Sequence, residues 1–215
     1  MFIDVRVSQA AADAVAQVVP QLVADKVASR IFAKDASLWG AAAQAEAEIR
    51  LGWVTSPTDS QHLIEPILQL RSTLSDRGVS RIVLCGMGGS SLAPEVITQS
   101  AGVELVVLDS TEPEQVAAAV NKDLEKTAVV VSSKSGSTVE TDSQKRAFEA
   151  AFDAAGIAKT ERIVIVTDPG SPMEQKAKQD GYQVFNADPT VGGRYSALTA
   201  FGLVPSGLAG VDIAQ

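Results

Sequence analysis

The sequence is poor in the residues from which many catalytic and structural sites are built. It has one cysteine, Cys85, and one histidine, His62, among 215 residues. A single cysteine excludes an intrachain disulfide framework. One histidine with one cysteine makes neither a His/Cys metal site nor a Cys–His dyad. Any chemistry must therefore run on hydroxyls, amides, carboxylates, Lys or Arg. Positive charge is scarce too: 18 basic residues stand against 26 acidic ones, a formal net charge of −8. That balance argues against broad nucleic-acid binding, which needs clustered Lys and Arg along phosphates. It leaves room for a small anion held by a few local groups. No apolar run approaches the roughly 18 residues that span a bilayer, so no membrane partner is expected. The start, Met1-Phe2-Ile3-Asp4-Val5-Arg6, lacks the basic-then-apolar layout of a secretory signal, and a cytoplasmic location is the default expectation.

What is present falls into two textures. Residues 1–78 read as a helical segment rich in Ala, Gln, Glu and Leu. Val15, Val18, Val19, Leu22 and Val23 share a helical stripe, Ser8 suits an N-cap, and Pro20 is expected to break the stripe into two helices. Trp39, Ala43, Ala47 and Leu51 recur every four residues as a second amphipathic face. Leu63, Ile67, Leu70 and Leu74 make a third, which Pro66 opens or kinks. From residue 79 to 190 short apolar runs alternate with helical stretches. The predicted strands are Ile82–Cys85, Leu105–Leu108, Ala128–Ser132, Ile163–Thr167 and Tyr182–Phe185. Such alternation predicts an α/β fold: a three-layer αβα domain on a five-stranded, parallel, doubly wound sheet, flavodoxin-like in order 2-1-3-4-5.

Three stretches carry chemistry. Gly86-Met87-Gly88-Gly89-Ser90-Ser91 follows the first strand, where glycines let backbone approach a ligand and a helix N-terminus offers free N–H groups. A tight turn without a ligand would use the same glycines. Ser132-Ser133-Lys134-Ser135-Gly136-Ser137-Thr138 follows the third strand; five of its seven residues carry hydroxyls and one is a cation. That composition suits a monophosphate, whose oxygens need convergent donors and a neutralising charge. A solvated Ser-rich loop is the plainer alternative. In the predicted strand order both loops meet at the topological switch point, where open α/β sheets bind ligands. The third stretch, Gly192-Gly193-Arg194-Tyr195-Ser196, opens a helical run; Arg194 either faces a substrate oxygen or braces the loop. A dinucleotide fingerprint competes weakly, with Gly86 and Gly88 followed by Asp109, because Ser91 occupies the place of its third glycine.

These motifs together resemble those of the glucose-6-phosphate isomerase family, in particular its actinobacterial-type members. Gly86 to Pro94 resembles the first signature, Ser133 to Thr141 the phosphate loop, and Val191 to Ser196 the third signature. Lys34 to Gly40 and Arg50-Leu51-Gly52-Trp53 are also similar to that group, so the resemblance covers essentially the whole chain. It implies a sugar isomerase domain at 79–190, with residues 191–215 as an Arg-motif helix leading towards a second such domain. It implies that Gly89, Ser90, Ser133, Lys134, Ser135, Ser137 and Thr138 hold a sugar phosphate. By the same resemblance Arg194 stabilises an enediolate, and Glu140 pairs with a catalytic histidine. The implied reaction interconverts glucose 6-phosphate and fructose 6-phosphate with no metal or organic cofactor, in an enzyme that is commonly a homodimer. Similar domains also occur fused to a transaldolase. Ser135-Gly136-Ser137 departs from the bulkier Thr and Phe frequent in the family loop. The family's proton-abstracting glutamate, ring-opening histidine and a further lysine follow the arginine signature, so the expectation is a fragment that binds sugar phosphate without turning it over. A non-catalytic sugar-phosphate sensor is the alternative, but the N-terminal helices carry no basic cluster for a DNA-binding output.

Overall fold

A computed structural model describes Val5–Ala214, which form two compact units divided between Thr55 and Ser56. The first unit is helical. Helix α1 (Gln9–Ala24) is capped by Ser8, whose Oγ accepts the Ala11 N–H at 3.3 Å. Contrary to the expected break, α1 runs through Pro20. The proline ring prefers the helical φ, so its cost is one missing hydrogen bond and a local clash. The chain instead leaves the helix at Asp25–Lys26, where Lys26 takes a left-handed φ of 53° before α2 (Val27–Phe32). No residue of α1 or α2 is buried. Asp35 then caps a 3-10 turn, Ala36–Trp39. The Ser37 hydroxyl, together with the Arg30 guanidinium, holds the Asp35 carboxyl at about 2, below its ordinary 3.8. The expected face Trp39-Ala43-Ala47-Leu51 is not one helix. Gly40, at φ 80°, ends the turn, α3 begins at Gln44 and runs to Arg50, and only Ala47 and Leu51 of the four are buried.

The second unit opens with α4 (Ser56–Asp59) and α5 (Ile64–Asp76), in which Pro66 lies in the first turn, where a missing N–H costs least. Five parallel strands follow: β1 (Arg81–Gly86), β2 (Val106–Leu108), β3 (Thr127–Ser133), β4 (Ile163–Thr167) and β5 (Gln183–Asn186). Their order is β2-β1-β3-β4-β5, all neighbours parallel, which is the doubly wound arrangement the sequence predicts. The connecting helices are α6 (Leu92–Ser100), α7 (Pro113–Asn121), α8 (Val139–Ala154) and α9 (Pro172–Asp180), with α10 (Ala200–Ala209) after β5.

Strand periodicity divides the core in two. Ile82 and Leu84, Ala128 and Val130, and Val164 and Val166 face α5 and α10 through Ile67, Leu74, Phe201, Val204 and Leu208. Val83 and Cys85, Val129 and Val131, and Ile163 and Ile165 face α7, α8 and α9 through Ala119, Phe148, Phe152, Met173 and Ala177. The unit boundary at Thr55/Ser56 lies upstream of the texture change at 78/79, because Leu63, Ile67 and Leu74 are buried in the sheet's core. Residues 200–209 likewise form a covering layer: a Cβ on Gly207 would lie 2.7 Å from Ile67 Cγ2, so the glycine sets how closely α10 meets α5. Cys85 is fully buried, and burial pushes its thiol up, away from the reactive thiolate. No helix among the described residues is long and apolar enough to cross a membrane.

Candidate functional site

β1 and β3 end side by side, Gly86 opposite Ser132, so the chain segments that follow them leave the sheet as neighbours. The β1 end is crowded: a Cβ on Gly86 would sit 3.3 Å from the Ser90 carbonyl oxygen and 3.4 Å from Ser132 Cβ. Beyond it a 3-10 turn, Gly88–Ser90, precedes α6. A Cβ on Gly89 would lie 2.7 Å from the Gly193 carbonyl oxygen. Backbone therefore rests on backbone there, and only glycine permits it. Ser196 ties the contact, its Oγ donating to the Gly193 oxygen at 2.7 Å and lying 3.4 Å from that of Gly89. The contact carries Arg194, in the 3-10 turn Gly193–Leu198, to the first loop; its side chain is exposed, and no ion pair among the described residues engages it.

The hydroxyl-rich segment folds back on itself. Ser133 Oγ and Thr138 Oγ1 share a hydrogen bond at 2.9 Å, and Ser133 Oγ also accepts the Gly136 N–H at 3.2 Å. Ser135 Oγ accepts from the Ser137 N–H at 3.2 Å and from its hydroxyl at 3.0 Å. The β4–α9 turn supports this loop from beneath. Thr167 Oγ1 donates to the Ser133 carbonyl at 2.7 Å, and Lys134 Nζ lies 2.7 Å from Asp168 Oδ2. Gly136, at φ 67°, presses on the same turn: a Cβ there would be 2.9 Å from Ser171 Cβ, Ser171 Oγ and Met173 Cβ.

The helices that follow β1 to β5 differ at their starts in one respect. Glu112, Ser171 and Thr199 cap α7, α9 and α10 with side-chain oxygens that accept first-turn N–H groups. Ser91 and Thr138, at the starts of α6 and α8, make no such bond. The Ser91 hydroxyl donates to the Gly88 carbonyl and that of Thr138 pairs with Ser133. Both helices that begin at the switch point thus keep first-turn amides without a side-chain cap. Such amides and the helix dipole favour an anion.

The structure gathers Gly89, Ser90, Ser133, Lys134, Ser135, Ser137 and Thr138 on the two loops at this switch point. Ser133 is buried, Ser135 and Ser137 are exposed, and Gly89, Ser90, Lys134 and Thr138 are half-buried. Glu140 is exposed in the first turn of α8. His62 is exposed, with its Nδ1 2.6 Å from the Asp59 carbonyl oxygen. Sequence reasoning missed Thr167, Asp168 and Ser171. Their signal was a strand ending in a buried Thr and an Asp-Pro-Gly-Ser-Pro turn, at the carboxyl end next to the Ser-rich loop.

Residues 71–214 match the family model for phosphoglucose isomerase. A glucose-6-phosphate isomerase of Synechococcus sp. (strain JA-3-3Ab) is 36% identical over 143 residues, 62% of this chain and 27% of that protein. A glucose-6-phosphate isomerase of Thermus thermophilus is 36% identical over 169 residues, 76% of this chain and 40% of the relative. A crystal structure of a hypothetical protein from Thermus thermophilus superposes with a TM-score of 0.74 at 31% identity, covering 94% of this chain and 46% of that one. The chain spans about a quarter to two fifths of the length of these curated relatives.

Proposed function

The chain belongs to the phosphoglucose isomerase family, and from that premise we propose that it holds the phosphate of glucose 6-phosphate at the β1–β3 switch point. The carrying observation is that α6 and α8 begin there without side-chain caps, beside a loop of convergent hydroxyls. Amides of the first turn of α8, the Gly89–Ser90 backbone and the hydroxyls of Ser90, Ser133, Ser135, Ser137 and Thr138 form the cradle; Lys134 belongs to the same loop. Charge-assisted hydrogen bonds of this kind are short and strong. Holding the phosphate fixes the position of the reacting carbons several bonds away, so remote binding energy orients the chemistry.

The reaction proposed for the whole protein is aldose–ketose isomerisation. A base removes the proton at C2 of the open-chain aldose, the electrons form an enediolate, the hydroxyl proton passes from O2 to O1, and a proton returns at C1 to give the ketose. Arg194, exposed in the turn that rests on the first loop, is assigned the planar cation that offsets the charge developing on the substrate oxygens. Glu140, in the first turn of α8, is assigned the orienting of a histidine, a role that the family resemblance implies. The only histidine of these 215 residues, His62, is exposed on a different connection. The proposal therefore separates the roles: these residues bind and stabilise, and the proton transfers draw on other groups. Without a general base the barrier to removing a carbon-bound proton stays high.

Titration of glucose 6-phosphate followed by amide NMR tests this reading. Saturable shifts confined to 88–91, 133–140 and 193–196 are expected, with no fructose 6-phosphate formed in a coupled assay. Shifts elsewhere, or none in a folded sample, sink the binding site. Turnover that copurifies with the chain to constant specific activity sinks the separation of roles.

A further inference from the structure

Lys134 is the one cation of the hydroxyl-rich loop, and a phosphate is its obvious partner, yet its ammonium is already paired. Nζ lies 2.7 Å from Asp168 Oδ2, with the two side chains only 23% and 19% exposed. Two further contacts join the same segments: the Thr167 hydroxyl on the Ser133 carbonyl, and Gly136 against Ser171 and Met173. We infer that Lys134 acts as a tether, and that Asp168 is the positioning residue that uses it to hold the loop in its phosphate-binding shape.

Asp168 and a phosphate compete for the Lys134 ammonium. A partly shielded ion pair leaves the ammonium little net charge to offer, and freeing it would leave the Asp168 carboxylate facing an arriving dianion. A phosphate that drew the ammonium off Asp168 would separate a formed pair, and one that shared it would place like charges side by side. A phosphate received by amides and hydroxyls leaves the ion pair intact. On this inference the loop meets its ligand through N–H and O–H groups, and the charge of Lys134 fixes where those groups point. Thr167 and Gly136 hold the ends of the segment, and the Lys134–Asp168 pair closes it between them. The inference rests on the proposed phosphate site for its consequences, but the tether itself is readable without any ligand.

The test uses the full 215-residue chain with Lys134→Met, Asp168→Asn and the double variant. In the ligand-free protein, exchange of the Gly136 and Ser137 amides, which are bonded to Ser133 and Ser135, is expected to rise equally in both single variants and no further in the double. Glucose 6-phosphate affinity is expected to fall about tenfold in each single variant, again without addition, the signature of two residues acting as one unit. Lys134→Arg with Asp168 intact should restore most of both. A loss in Lys134→Met at least tenfold greater than in Asp168→Asn, or tighter binding by Asp168→Asn, overturns the tether and makes the ammonium a direct ligand. Unchanged amide exchange in folded single variants overturns it as well. Altered exchange in the variants with no binding by the parent chain would retain the tether and remove the phosphate site.

Discussion

The β3–α8 and β4–α9 connections leave neighbouring strands at the same end of the sheet, yet they treat their helix starts in opposite ways. At α9, Ser171 Oγ accepts the Glu174 N–H at 3.1 Å and the Glu174 carboxylate accepts the Gly170 N–H, with Pro172 at the first helical position. This Ser-x-x-Glu arrangement is close to a capping box, with the carboxylate reaching the residue before the cap. At α8 the corresponding hydroxyl, on Thr138, turns back to Ser133 and leaves the first amides without a side-chain cap. One connection is finished by its own side chains and gains stability. The other keeps its first amides without a side-chain cap, and it leans on the finished one through Ser133, Lys134 and Gly136. The division of labour explains how a loop of small, flexible hydroxyl residues keeps a defined shape.

The largest effect is expected where the two connections touch. Gly136→Ala puts a side chain at a left-handed φ, costing about 1–2 kcal/mol. It also drives a Cβ to within 2.9 Å of Ser171 and Met173, which adds about 1–3 kcal/mol of overpacking. A loss of about 3 kcal/mol in urea unfolding is expected, together with loss of sugar-phosphate binding. If the variant is as stable as the parent, the loop does not rest on the β4–α9 turn.

Ser171→Ala comes next. It removes the cap of α9 and the buried bond to Thr167, which is 2.8 Å long. A fall of about 1–2 kcal/mol is expected, read as a lower urea midpoint at unchanged slope. Thr138→Val is the mirror experiment. It removes one hydroxyl pair and no cap, so stability should fall by only about 0.5–1 kcal/mol. Affinity for glucose 6-phosphate should drop about tenfold, because a bond to a charged group is worth more than one between neutral groups. Equal effects of Ser171→Ala and Thr138→Val on both stability and binding would erase the distinction between the closed and open starts.

How much of this was legible follows from how local each signal is. β3, Thr127 to Ser133, is buried at every residue, and its apolar run between polar segments announces a central strand. The Ser133–Thr138 loop announces itself by composition, and the switch point follows from strand order. Gly89 was recognisable as a turn glycine, but its reason for being glycine is the Gly193 carbonyl, far along the chain. The pairing of Lys134 with Asp168 is equally non-local, and composition alone does not announce it. In the first unit local signals misled. Pro20 and the four-residue spacing of Trp39 to Leu51 are strong local signals. Helical hydrogen bonds on both sides of Pro20 carried the helix past it, and the positive φ of Gly40 cut the second pattern.

The smallest expected effect tests the closed start through its charge. Glu174 accepts from the Lys178 ammonium at 2.6 Å and from the Gly170 N–H, and these contacts, in that order, hold its carboxyl below its ordinary 4.5. A carboxyl whose folded value is depressed binds its proton more readily when unfolded. Its contribution is therefore complete above pH 4.5 and is lost as pH falls through the lower folded value. Glu174→Gln, which cannot ionise, should thus unfold at lower urea than the parent near neutral pH. The gap should narrow as the pH drops below about 4.5, the ordinary carboxyl value. Thr138 pairs with the neutral Ser133 hydroxyl, so the Thr138→Val gap should stay flat over the same range. A Glu174→Gln gap that is also flat would mean that the α9 start is held by Ser171 alone, and that its charge contributes nothing to the support the open loop receives.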